Sequence, residues 1–217
     1  MRSWSSFLAA AALLAGASAQ AATLSFAKEP FTGSDALTTP GRQVVGGEVF
    51  TAVDPAADVF SLQGSAFDAL APLNFFNGVI GDVPPTGTNV VVLRTFDNDA
   101  NPGTPFGAGN AATLIADRIT TSAPGLFVYF NSNLDLPRLV YSTDLSDPTA
   151  DLQVLFRMTN LTGDGGKTAM ESFTAGNFAV SAAPIPEPST WALLGSGAAL
   201  LAFVRRRQKG RDGRQRA

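Results

Sequence analysis

The chain has 217 residues, a formal net charge of −3, and neither Cys nor His. The lack of His excludes Ser-His-Asp and Cys-His catalysis and typical zinc sites, and the lack of Cys means that the core forms without disulfides. Residues 22–185 hold 16 acidic and 7 basic residues, whereas residues 205–217 hold 7 basic residues and one acidic residue. The acidic body argues against a nucleic-acid partner, since duplex binding depends on Lys and Arg that neutralise phosphates.

The N-terminus has the three parts of a secretion signal in order. Arg2 supplies the positive charge, residues 7–17 form an apolar run, and Ala17-Ser18-Ala19 is a small-residue cleavage site. We interpret residues 1–19 as a Sec-type signal peptide, with the Sec translocon and signal peptidase as partners. Cleavage after Ala19 is preferred and cleavage after Ala21 is the alternative. The competing interpretation is a buried N-terminal helix.

Residues 22–183 form the predicted extracytoplasmic domain, and strand signals dominate it. Alternating or continuous apolar runs, separated by Gly- and Pro-rich turns, predict strands at residues 24–26, 44–45, 49–50, 59–62, 90–96, 126–130, 139–142, 152–158, 171–173 and 178–181. A helical period from Ala111 to Ile119 predicts one helix with Asn110 as its N-cap, and residues 65–70 suggest a second short helical turn. Gly163 to Gly166 is predicted to be a turn. The fold class that we expect is mainly β, an antiparallel β-sandwich with one or two short helices.

Oxygen-bearing side chains alternate in the loop that follows residue 96. Asp97, Asp99 and Asn101 are spaced like the first ligands of a calcium loop. The loop departs from the EF-hand pattern, because Pro102 stands where the glycine of the sharp turn belongs and Ala108 where the bidentate Glu belongs. We therefore keep two interpretations, a looser calcium site and a solvated Asx-rich turn without metal. No other cofactor is expected.

The C-terminus ends in a stiff tripeptide, an apolar run and a basic cluster. Pro186-Glu187-Pro188 precedes an apolar stretch, residues 189–204, that predicts a single transmembrane helix, and Arg205, Arg206 and Arg207 follow. The positive-inside rule then leaves residues 205–217 in the cytoplasm and the acidic body outside. A plain single-pass anchor would show the same apolar run and basic cluster.

This tripartite tail resembles the PEP-CTERM sorting signal of exopolysaccharide-producing Gram-negative bacteria, and we assign residues 184–208 to it. The resemblance implies that a membrane protease, exosortase, recognises Pro186, Glu187 and Pro188, removes the tail, and passes the protein from the inner membrane to the cell envelope or extracellular matrix.

The residues between the two terminal segments contain no recognisable catalytic group. Its 16 acidic residues are scattered, and no two of them are marked by the sequence as a pair of glycosidase carboxylates. We therefore expect a non-enzymatic envelope or matrix protein, structural or adhesive, linked to exopolysaccharide or biofilm. The alternatives are a surface module that binds calcium or carbohydrate, and a carboxylate-based glycan hydrolase.

Overall fold

A computed structural model describes residues 20–181 of the protein, except Asn98, Ala100 and Pro102. Strands make up most of its regular structure: β1 (Thr23–Phe26), β2 (Val44–Val45), β3 (Val49–Thr51), β4 (Val59–Gln63), β5 (Phe75–Gly78), β6 (Val90–Leu93), β7 (Gly125–Asn131), β8 (Leu136–Ser142), β9 (Leu152–Met158) and β10 (Phe178–Ser181). Three helices accompany them: α1 (Ser65–Asp68), α2 (Ala108–Ala116) and α3 (Gly163–Ala169). The prediction of a mainly β domain with short helices is confirmed.

The strands form two sheets, and most of their pairings are parallel. The larger sheet has the order β2-β9-β8-β7-β6-β5, with β3 also pairing with β9, and the smaller has the order β1-β4-β10. Only β7–β8 and β8–β9 are antiparallel among the described pairings. The predicted antiparallel arrangement is therefore wrong. The parallel pairing follows from the path of the chain. Between β1 and β4, which are neighbours in the smaller sheet, the chain forms β2 and β3 of the larger sheet. Such a crossover connection allows the two neighbouring strands to run parallel.

The smaller sheet packs through aromatic side chains on one face of the larger sheet. Phe60 of β4 contacts Phe156 of β9 with 4.9 Å between ring centroids, and Phe26 of β1 lies 6.1 Å from the same ring. These residues belong to one buried apolar cluster that extends over both sheets. The burial of apolar side chains in such a cluster is the main contribution to the stability of a domain.

Helix α2 covers part of the opposite face of the larger sheet. Ala111, Ala112 and Ile115 bury against a second apolar cluster that includes Phe127 and Tyr129 of β7. Strand β7 is consequently buried on both faces, which explains why its sequence is a continuous apolar run rather than an alternating one.

The predicted helix is present but begins earlier than expected. Its N-cap is Gly107, not Asn110, and the Oδ1 atom of Asn110 accepts a hydrogen bond of 3.0 Å from the Gly107 N–H. Asn110 is the third residue of the helix, and its side chain accepts the backbone N–H of the N-cap residue. This hydrogen bond is the reciprocal part of a capping box. The helical turn expected at residues 65–70 is α1.

Two local predictions are wrong, and one strand is additional. The strand expected at residues 171–173 is a 3-10 turn over Met170–Ser172, and the turn expected from Gly163 is the start of α3. Strand β5 lies where the sequence predicts no strand. Within residues 20–181 no helix combines the length and the apolar character needed to cross a membrane. The predicted signal peptide, sorting helix and basic tail lie outside the described residues.

Candidate functional sites

The three predicted calcium ligands form a chain of Asx turns. Each side-chain oxygen accepts a hydrogen bond from the backbone N–H two residues further on: Asp97 from Asp99 at 3.4 Å, Asp99 from Asn101 at 2.8 Å, and Asn101 from Gly103 at 2.9 Å. Such turns are local and need no metal. The structure therefore places the three residues in one loop with their oxygens already engaged.

Asp97 also ties this loop to the end of β7. Its Oδ2 atom accepts hydrogen bonds from the Ser132 hydroxyl at 2.6 Å and from the Phe106 N–H at 3.2 Å. The Ser132 hydroxyl holds the pKa of Asp97 below its ordinary value, and the N–H groups of Asp99 and Phe106 act in the same direction. Among the described residues no three side chains of His, Cys, Asp or Glu come together as metal ligands. Calcium binding stays a prediction.

A cluster of charges that the sequence did not suggest lies on the larger sheet. We call Glu48, Phe50, Arg138 and Arg157 the cationic patch. The Oε1 atom of Glu48 accepts hydrogen bonds of 2.7 Å from the Nη2 atoms of both Arg138 and Arg157. Phe50 pairs with Arg157 between β3 and β9, and Arg157 pairs with Arg138 between β9 and β8, so the three side chains form a row across neighbouring strands.

In the cationic patch, burial and the neighbouring arginines shift the pKa of Glu48 in opposite directions. The Glu48 side chain is only 7% exposed, and this burial by itself would raise its pKa. Hydrogen bonds from Arg157 and from the Glu48 backbone, with the nearby charge of Arg138, outweigh burial and hold the pKa below its ordinary value. Two guanidinium groups share one carboxylate, so the patch carries a net charge of +1 within an acidic body.

The outer end of the cationic patch is aromatic and open to solvent. Phe50 is 61% exposed, and the guanidinium carbon of Arg157 lies 4.3 Å from the centroid of its ring. The Nε atoms of Arg138 and Arg157 are buried and have no hydrogen-bond partner within the described part of the chain. Sequence reasoning missed the patch because Glu48 lies 90 and 109 residues from its two partners.

A shallow depression of about 470 Å³ lies beside α2 and offers no glycosidase geometry. It is lined by Arg42, Phe106, Gly109, Asn110, Thr113 and Leu114. None of these six carries a carboxyl group, whereas glycoside hydrolysis ordinarily requires two carboxyl groups across the scissile bond. This depression therefore supplies no support for the hydrolase alternative.

Comparison with known proteins identifies the C-terminal segment. Residues 184–208 match the family of the PEP-CTERM protein-sorting motif, and this range includes Pro186, Glu187, Pro188 and the three arginines Arg205, Arg206 and Arg207. No curated protein and no solved structure matches the chain. The protein is therefore a mainly β domain followed by a sorting motif. It is a PEP-CTERM domain-containing protein, which exosortase sorts to the cell envelope.

Proposed function

We propose that this protein is a non-enzymatic structural or adhesive component of the cell envelope or matrix, and that its body contacts acidic exopolysaccharide through the cationic patch. The observation that carries the proposal is the sorting motif at residues 184–208, which belongs to a protein destined for the envelope. The patch supplies a surface whose chemistry fits an anionic sugar polymer.

Charge complementarity supports this choice of ligand. Guanidinium groups pair well with carboxylates, so the spare positive charge at Arg138 and Arg157 favours the carboxylate of a uronic acid. The exposed ring of Phe50 offers an apolar surface beside that charge, which suits the C–H face of a sugar ring. The acidic remainder of the body repels polyanions elsewhere and would confine contact to this patch.

The proposed route to the envelope uses both ends of the chain. Residues 1–19 direct export, residues 189–204 hold the protein in the inner membrane, and residues 205–217 stay in the cytoplasm. Exosortase then cleaves near Pro186, Glu187 and Pro188. In the sequence only a few residues lie between Ser181, the last residue of β10, and this motif.

The processing step is tested by the mass of the mature protein. We expect wild-type protein to lack residues 205–217 at steady state, and a Glu187→Ala variant to be exported without removal of the tail. A wild-type protein that retains Arg205 to Ala217, or normal maturation of the Glu187→Ala variant, would contradict the processing proposal.

The adhesive role is tested by cosedimentation with an insoluble polyuronate. We expect Phe50→Ala to weaken binding several-fold at low salt, because it removes the apolar surface beside Arg157. Leu37→Ala is the matched control, since Leu37 is also a large exposed apolar residue, 66% exposed, outside the patch. Equal losses in the two variants, or equal binding of a neutral glucan, would overturn the proposed contact.

Calcium binding by the loop of Asp97, Asp99 and Asn101 is the second candidate function. The observation that favours it is the presence of three side-chain oxygens within one short loop, where calcium would replace intraloop hydrogen bonds.

A further inference from the structure

A buried carboxylate lies at the start of the folded domain. Asp58 is only 7% exposed. Its Oδ1 atom accepts a hydrogen bond of 2.7 Å from the Ala22 backbone N–H, and its Oδ2 atom accepts one of 2.8 Å from the Asp54 N–H. None of the salt bridges formed within residues 20–181 includes Asp58. A buried aspartate without a paired cation is unusual, because burial costs a charge more than a neutral group.

The nitrogen of Ala22 is held against this carboxylate by the sheet. The Ala22 carbonyl accepts a hydrogen bond of 2.9 Å from the Val59 N–H, and the parallel pairing of β1 with β4 continues at once from Thr23, which lies opposite Val59. Asp58 is the residue directly before Val59. The position of the Ala22 nitrogen therefore follows from the strand register and does not depend on a flexible side chain.

The sequence in front of Ala22 is a second processing pattern. Ala19-Gln20-Ala21 has the small-x-small form that signal peptidase accepts, as does Ala17-Ser18-Ala19 two residues earlier. The two patterns predict different mature ends. Cleavage after Ala19 leaves Gln20 as the first residue and a neutral amide at Ala22, whereas cleavage after Ala21 leaves a free amine at Ala22.

We infer that signal peptidase cleaves between Ala21 and Ala22, and that the new α-ammonium group of Ala22 forms the missing ion pair with Asp58. Water hydrolyses the Ala21–Ala22 peptide bond, so that the carbonyl of Ala21 becomes a carboxylate and the nitrogen of Ala22 becomes an ammonium group. In the hydrogen bond of 2.7 Å only the acceptor is charged before cleavage, whereas afterwards donor and acceptor carry opposite charges and form an ion pair. The inference rests on the proposed export, and it moves the end of the leader from Ala19, the site preferred from the sequence, to the alternative site after Ala21.

The first test identifies the N-terminus of the mature protein. The full chain is expressed with its own leader in an exporting Gram-negative host, and the terminal peptide is sequenced by mass spectrometry after labelling of α-amines. Ala22 as the first residue supports the inference. Gln20 as the first residue overturns the inference but leaves the proposed export intact, whereas retention of Met1 overturns both.

The second test asks whether the terminal charge stabilises the fold. An Ala21→Leu variant spoils the later pattern and leaves Ala17-Ser18-Ala19 intact, so its product starts at Gln20 with Asp58 unchanged. We expect this product to melt several degrees below the protein that starts at Ala22. Equal melting temperatures at pH 7 would overturn the ion pair.

The third test uses alkaline pH. An α-amino group has an ordinary pKa of about 7.7–8.0, and an ion pair raises it in the folded state. The added stability is therefore complete below the ordinary value and is lost as pH rises through the raised one. Asp54 is the other titratable residue in contact with Asp58, through its backbone N–H.

We expect Asp58→Asn to lower the melting temperature at pH 7 and to cost much less at pH 10. Asp68→Asn, at an exposed position in α1, is the control and should cost little at either pH. A loss in Asp58→Asn that is the same at pH 7 and pH 10 would overturn the ion pair. If Asp58→Asn does not fold, the same pH comparison between the products that start at Ala22 and Gln20 decides the question.

Discussion

Replacing Glu48 by Gln should destabilise the domain far more than removing an ordinary surface charge. The substitution leaves Arg138 and Arg157, whose side chains are 13% and 23% exposed, facing each other without a counter-charge. Removal of one partner from a buried ion pair costs about 3–5 kcal/mol, and the partial exposure of both arginines lowers the expected loss to about 2–3 kcal/mol. With a urea slope of about 2–3 kcal/mol per M, the unfolding midpoint should fall by roughly 1 M.

The matched control is Asp164→Asn. Asp164 pairs with Lys167 at 3.1 Å, but its side chain is 97% exposed. Exposed pairs contribute little, so this midpoint should stay within the equivalent of about 0.5 kcal/mol. Both variants are made in the fragment of residues 22–183 and unfolded in urea at pH 7. A Glu48→Gln midpoint as close to wild type as that of the control would refute the argument from burial.

The stability difference between wild type and Glu48→Gln should depend on pH. The folded-state pKa of Glu48 is lowered, so its contribution is present above the ordinary glutamate pKa of about 4.3 and is lost as pH falls through the folded value. The stability difference between wild type and Glu48→Gln should therefore shrink as pH falls below the ordinary glutamate pKa, and it should be smallest once pH lies below the lowered folded-state pKa of Glu48. A difference between the two proteins that does not shrink in acid would contradict the assigned role of the carboxylate.

Two further predictions concern α3 and the Asx loop. A Cβ atom at Gly166 would lie 2.5 Å from the backbone of Leu161, whereas one at Gly165 would meet nothing within 4 Å. Gly166→Ala should therefore cost about 1–3 kcal/mol and Gly165→Ala should gain about 0.5–1 kcal/mol, and urea midpoints that do not separate in this order would contradict the packing of α3. For calcium, calorimetry on residues 22–183 should give a saturable heat that is absent when Asp97 and Asp99 are both changed to Ala. No heat with the parent fragment would remove calcium binding from the candidate functions.

Local periodicity was enough to find most of the individual elements. The alternation in β9 and the continuous apolar run of β7 identified both strands, because side-chain burial repeats with the backbone period. The short element at β5 was missed, since four residues that end in Asn77 and Gly78 carry almost no strand signal. A run of three residues is equally weak evidence, so the strand predicted at residues 171–173 is wrong and the segment forms a 3-10 turn over Met170–Ser172.

Strand direction was beyond the reach of these local patterns. A strand has the same apolar period whether its neighbour runs parallel or antiparallel, so the choice depends on which distant segments meet. Here β4 lies between β1 and β10, which are separated from it by long excursions through the larger sheet. Many short strands separated by turn residues favour an antiparallel sandwich. Among the strands that the structure describes, only β7, β8 and β9 form antiparallel pairs.

By itself the sequence determined that the protein carries a sorting motif, because residues 184–208 are a contiguous segment whose order of parts can be recognised without a fold. It also determined the calcium hypothesis, whose residues are neighbours in one loop. Only the tertiary structure brought Glu48 to Arg138 and Arg157, and Ala22 to Asp58. Those contacts join residues 36 to 109 positions apart, and such pairs meet only when strand order and register are set.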